Sequence, residues 1–175
     1  MNSSPERSEG RQTSEFQENL ECLRKIYFFA GLPLQSLKVL AYVCTREAFK
    51  KGEYLFQQDE DDGQAFYILS GTAGLEHKDE SGDHMIREYQ AEDFLGGLVL
   101  LGSMRRRFSL KALTDLTCLI LTRDKFQTTM EQFPDMLPKI VKSVVERINA
   151  IEGRFLASRS ESCETCGQMI GFSLL

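Results

Sequence analysis
The sequence predicts a mainly β fold with flanking helices: a jelly roll of the double-stranded β-helix type, with two short helices before it and a long helix after it. Three observations lead there. Between Ala48 and Leu121, short runs rich in Tyr, Phe, Ile, Leu and Val are separated by Lys-Gly, Asp-Gly, Ser-Gly and Ser-Gly-Asp turn signals. Roughly eight such runs fit a roll or sandwich. On both sides of this stretch the apolar spacing changes to three and four, the period of a buried helix face. The chain has 175 residues, 42% of them hydrophobic, which fills one sizeable core and leaves no room for a second full domain.

Taken in order, residues 1–15 are polar after Met1 and rich in Ser, Glu and Arg, so they bury too little to offset chain entropy and a disordered segment is expected. From Phe16 onward, Leu20, Leu23, Ile26 and Tyr27 lie on one helix face. Gly31-Leu-Pro33 breaks it. Leu34, Leu37, Leu40, Ala41 and Cys44 then mark a second face, with Pro33 near the start, where no backbone donor is needed. The clearest strands are 53–56, 64–69, 72–78, 84–89, 108–112 and 117–122, and helices plus roll together span 16–126. A C-terminal helix is expected over 127–157. Its apolar stripe is Leu137, Val141, Val144, Ile148, Ile151 and Phe155, with Lys139, Lys142, Glu146, Arg147 and Glu152 off the stripe. Residues 158–175 form the tail.

Composition narrows the function. A net charge of -5 argues against a chain-wide footprint for nucleic acid or anionic lipid, although Arg105-Arg106-Arg107 is a local cluster able to meet a phosphate. No apolar run approaches the roughly 20 residues that span a bilayer, and the first residues lack the short apolar core of a secretory signal, so a cytoplasmic location is expected. Cys22, Cys44 and Cys118 sit among apolar neighbours and read as buried free thiols. Cys163 and Cys166 form a C-x-x-C pair in the tail, without the further ligands a zinc site needs. His77 and His84, seven residues apart with no third histidine, supply no facial metal site. No nucleophile motif or Walker-type loop is present, so no catalytic residue, cofactor or metal is expected.

Several segments carry a family resemblance. Leu23-Arg-Lys-Ile26, Phe29-Ala-Gly-Leu32, Lys51-Gly-Glu53, Phe66-Tyr-Ile-Leu-Ser-Gly71 and Ala112-Leu-Thr-Asp115 through Phe126 are similar to cyclic-nucleotide-binding domains of the catabolite-activator and protein-kinase-A regulatory type. Asp93-Phe-Leu-Gly-Gly-Leu-Val-Leu-Leu-Gly102 resembles their phosphate-binding cassette, which typically reads F-G-E-L-A-L-L and then R-A-A-T-V-R-A. The cassette is degenerate here. Gly97 stands where the family keeps the acid that accepts the ribose 2′-hydroxyl, and Arg107 and Phe108 replace small residues beside the ligand. Arg106 aligns with the family's arginine.

The resemblance implies a ligand site made by Gly96, Gly97, Leu98, Arg106, Arg107 and Phe108. Its glycines let the backbone approach an anion and its arginine fork meets the phosphate. The expected function is a non-enzymatic regulatory module that binds a cyclic nucleotide, cyclic AMP for example, or another small anion, and signals through its C-terminal helix. The alternative is an interaction scaffold that keeps the fold and has lost the nucleotide. A homodimer through the helix from about Pro138 to Phe155 and an unidentified protein partner are expected. Only about twenty residues follow that helix, so no direct DNA reading is expected, and no membrane association. Returning an acid at Gly97, with Arg107 and Phe108 cut to Ala, is expected to raise nucleotide affinity.

Overall fold
The computed structural model describes residues 6–157. Helix α1 (Glu6–Lys25) leads through a 3-10 turn (Tyr27–Phe29) to α2 (Leu34–Val43). Eight strands follow: β1 (Thr45–Phe49), β2 (Tyr54–Phe56), β3 (Gln64–Ser70), β4 (Thr72–Asp79), β5 (Gly82–Gln90), β6 (Phe94–Leu95), β7 (Ser109–Ala112) and β8 (Leu116–Thr122). A second 3-10 turn (Gly97–Leu100) separates β6 from β7, and α3 (Arg123–Gln132) and α4 (Met136–Ala157) close the chain. Every strand pairing is antiparallel, in two four-stranded sheets of order β1-β8-β3-β6 and β2-β7-β4-β5.

The long apolar runs of β3 and β8 arise because both faces of these central strands are covered. Phe66, Ile68, Cys118 and Ile120 point between the sheets, where they meet Phe56, Ala73 and Leu110. Ala65, Tyr67, Leu119 and Leu121, on the alternate positions, pack under the helices against Leu23, Phe28, Leu40 and Phe126. Gly71 makes the tight β3–β4 connection at φ +87, and a Cβ there would lie 2.5 Å from the Asp115 carbonyl, so only glycine fits.

Three expectations differ from the structure. Residues 6–15, expected to lack order, continue α1 upstream of Phe16, because Glu, Arg and Gln are good helix formers that extend a helix without an apolar face. The single C-terminal helix over 127–157 is two helices. Thr129 accepts the Phe133 amide at 3.0 Å as α3 ends, Pro134 cannot continue the ladder, and α4 restarts at Met136 with Pro138 tolerated in its first turn. The apolar stripe also divides. Met136 and Ile140 are fully buried against the first 3-10 turn and Val144 packs beside them, whereas Leu137, Val141, Val145 and Ile151 face outward. Cys163 and Cys166 lie outside the described residues.

Candidate functional site
The six residues singled out in the sequence line one pocket of about 340 Å³. β6 and the second 3-10 turn supply Gly96, Gly97 and Leu98, and the loop before β7 supplies Arg106, Arg107 and Phe108. Tyr27, Phe56, Leu75, Tyr89 and Phe94 complete the walls. Arg107 and Leu98 are exposed at the mouth, while Phe108 is half-buried with its ring edge-on to His77 at 5.6 Å between centroids.

Arg106 is the buried cation of the site. Its side chain is 7% exposed, and its Nε and Nη2 donate to the two carboxylate oxygens of Asp62 at 2.8 and 2.9 Å. Nη2 also donates to the Gln64 carbonyl. The guanidinium lies 3.9 Å from the centroid of Phe56, within cation–π range. Backbone bonds fix the same residue: Asp59 N donates to Arg106 O and Arg106 N to Glu60 O, each at 2.8 Å. The arginine fork assigned to a phosphate is therefore taken by an internal carboxylate. Nη1 is left, and it lies against Gly96, where a Cβ would come within 2.9 Å of it. Gly96 also has φ +80, so the position demands glycine twice over.

Gly97 has a different reason to be glycine. A Cβ there would meet ring atoms of Phe28 and Phe94, each at 2.9 Å. Phe28 is fully buried and packs on Phe29, Phe94 and Phe126, so it cannot swing away. Aromatic rings fill the space an acid at 97 would need to pass, so Gly97→Glu meets Phe28 and Phe94 before it can reach a ribose.

A second carboxylate braces the cassette from outside. Asp61 accepts from Arg123 Nη2 and from the Ser103 hydroxyl, and Arg123 Nε donates to the Val99 carbonyl at 2.6 Å. The Arg123 guanidinium first, and the Ser103 hydroxyl second, hold the Asp61 carboxyl at about 2. Arg123 opens α3, so the cassette is tied to the helices beyond the roll. Tyr27 makes a further tie: it lines the pocket, meets Phe94 edge-on at 6.5 Å, and lies 4.9 Å beneath the Arg147 guanidinium of α4. Asp61, Asp62, Tyr27 and Arg123 were not among the residues picked from the sequence.

The profile of the family described as "Cyclic nucleotide-binding domain" matches residues 46–133. The chain belongs to that family. Cyclic GMP-dependent protein kinase 2 of Mus musculus is 25% identical over 149 residues, which are 83% of this chain and 19% of the kinase. The chain thus spans about a fifth of the length of the curated relatives it matches. Among solved structures, the regulatory domain of Toxoplasma gondii PKA with cAMP aligns at TM-score 0.61 and 21% identity over 74% of this chain and 51% of that one. The regulatory subunit of a cAMP-independent protein kinase A from Trypanosoma brucei aligns at TM-score 0.58 and 22% identity over 76% and 49%. One fold thus occurs in a structure with cAMP and in the regulatory subunit of a cAMP-independent kinase. Among the described residues, no helix is long and apolar enough to cross a membrane and no cluster of three or more metal-ligating side chains occurs.

Proposed function
We propose that the chain is a non-enzymatic, cytoplasmic sensor module that binds a small anion in the pocket beside Gly96 and reports occupancy through α4. The observation that carries the reading is the seat of Arg106: buried, fixed by Asp62, with Nη1 beside Gly96 and both residues lining a pocket rich in aromatic rings. A buried guanidinium with a free edge gives an anion a charge-assisted bond in a low-dielectric setting. Tyr27 supplies the connection to α4, because it belongs to the pocket wall and to the α4 contact together. The outward apolar positions Leu137, Val141, Val145 and Ile151 favour a homodimer through α4, with a protein partner as the receiver of the signal.

Thermal shift is the direct experiment. A ligand at about 100 times its dissociation constant stabilises the fold by about 2.7 kcal/mol. Cyclic AMP and cyclic GMP are expected to bind weakly, above about 10 micromolar, since no acid lines the pocket among the described residues. No shift with any small anion at millimolar concentration would count against the module as a sensor.

The scaffold alternative is supported by a specific pair of contacts: Asp62 neutralises Arg106, and Phe28 with Phe94 fills the space beside Gly97. On that reading the same surfaces are purely structural, and the apolar face of α4 does the binding.

A further inference from the structure
We propose that the pocket takes a mainly apolar, planar monoanion, a fused-ring aromatic carboxylate in chemical class, in preference to a sugar phosphate. The inference rests on the sensor reading and names the ligand of that same site.

Three observations select this class. The first is the wall chemistry. Tyr27, Leu75, Tyr89, Phe94, Met104 and Phe108 line the space, and among the described residues no carboxylate, amide or aliphatic hydroxyl side chain does. A sugar brings several hydroxyls, and each one desolvated without a partner costs about tenfold in affinity or more. Among the described residues of the wall, the tyrosine hydroxyls are the side-chain oxygens able to accept from them.

The second is the state of the buried charge. With Nε and Nη2 of Arg106 on Asp62, the pair is neutral as a unit, and one guanidinium nitrogen remains beside Gly96. That edge satisfies one oxygen of a single negative charge. Among the described residues, a dianion or a phosphate seeking a fork finds no second buried cation in the lining, because Arg105 and Arg107 are exposed and screened by water.

The third is shape. The space of about 340 Å³ is lined by rings: Phe94 tilts against Phe28 and meets Tyr27 edge-on, and Phe108 packs edge-on to His77. Aromatic walls favour a flat apolar ring through offset and edge-on contacts. Leu98 and Met104, both exposed at the mouth, give the ring further apolar cover as it enters.

The experiment is titration calorimetry on the full chain with naphthoate, its neutral amide naphthamide, cyclic AMP and inorganic phosphate. Naphthoate is expected to bind one per chain, at least about tenfold tighter than any of the other three. Arg106→Gln should remove that preference. Because Arg106→Gln strands Asp62 and risks unfolding, Leu98→Glu is the second variant: it sets a carboxylate at an exposed wall position and should weaken naphthoate at least about tenfold. Equal binding of naphthamide overturns the anionic half of the proposal, and an unchanged affinity in Leu98→Glu overturns the location. Cyclic AMP binding tighter than naphthoate overturns the ligand class while the sensor reading stands. No binding by any of the four at millimolar concentration overturns both.

Discussion
Asp62 reaches across 44 residues of chain to hold Nε and Nη2 of Arg106 at 2.8 and 2.9 Å, so the arginine of the cassette is already paired before any ligand arrives. The pair is nearly buried, with side-chain exposures of 7% for Arg106 and 13% for Asp62. Removing one partner of a buried ion pair leaves the other unpaired at a cost of about 3–5 kcal/mol. Asp62→Ala and Arg106→Met are each expected to lower stability by about 3 kcal/mol. The double variant should lose less than the sum by at least about 1 kcal/mol, measured by urea unfolding. Additive losses would show that the two groups do not depend on one another.

Gly97→Ala is expected to destabilise by about 1–3 kcal/mol, because its Cβ enters the rings of Phe28 and Phe94 at 2.9 Å. Gly97→Glu should do no better and should not raise affinity for cyclic AMP. A variant with unchanged melting temperature and gained nucleotide binding would show that these rings yield.

The roll was legible in the sequence because its turn glycines and two-faced apolar strands are local signals, as Gly71 and the runs in β3 and β8 illustrate. Arg106 and the cassette glycines were singled out by the family resemblance rather than by local pattern. Asp62, Asp61, Tyr27 and Arg123 were not, because their roles come from tertiary approach across long sequence separations, and an acidic turn has the same composition whether or not it faces an arginine. The division of the α4 stripe was hidden as well. Periodicity gives a face, but Val144 and Val145 exchange roles once packing against the 3-10 turn fixes the helix rotation.

Acid sensitivity should trace to Asp61. Arg123 and Ser103 hold its carboxyl at about 2, below its ordinary 3.8. A depressed value means that its stabilisation is fully present above the ordinary value and is lost as pH falls through the folded one. The stability gap between the unmodified protein and Asp61→Asn is expected to be constant above about pH 5 and to shrink between about pH 4 and pH 2, followed by circular dichroism. A gap that stays constant throughout would remove Asp61 from the acid response.

Burial pushes the thiols of Cys44 and Cys118 up to about 12, so neither forms thiolate at neutral pH. Both should resist iodoacetamide in the native protein and react once it is unfolded, as peptide mapping reads directly. Rapid native labelling of either would mean that α2 or β8 opens far more readily than its packing implies.

If α4 pairs two chains, Val141→Glu with Val145→Glu should give monomers while leaving the fold intact, since both positions face outward. Sedimentation of the unmodified protein as a monomer at tens of micromolar would contradict the dimer.

An anion beside Gly96 is expected to be felt at α4. A nitrogen-15 NMR titration of the full chain with naphthoate measures both ends at once. Saturable shifts are expected at Gly96, Gly97 and the Arg106 side chain, with Tyr27 and Arg147 moving along the same binding curve. Shifts confined to exposed charges, or pocket shifts that leave α4 unchanged at saturation, would contradict it.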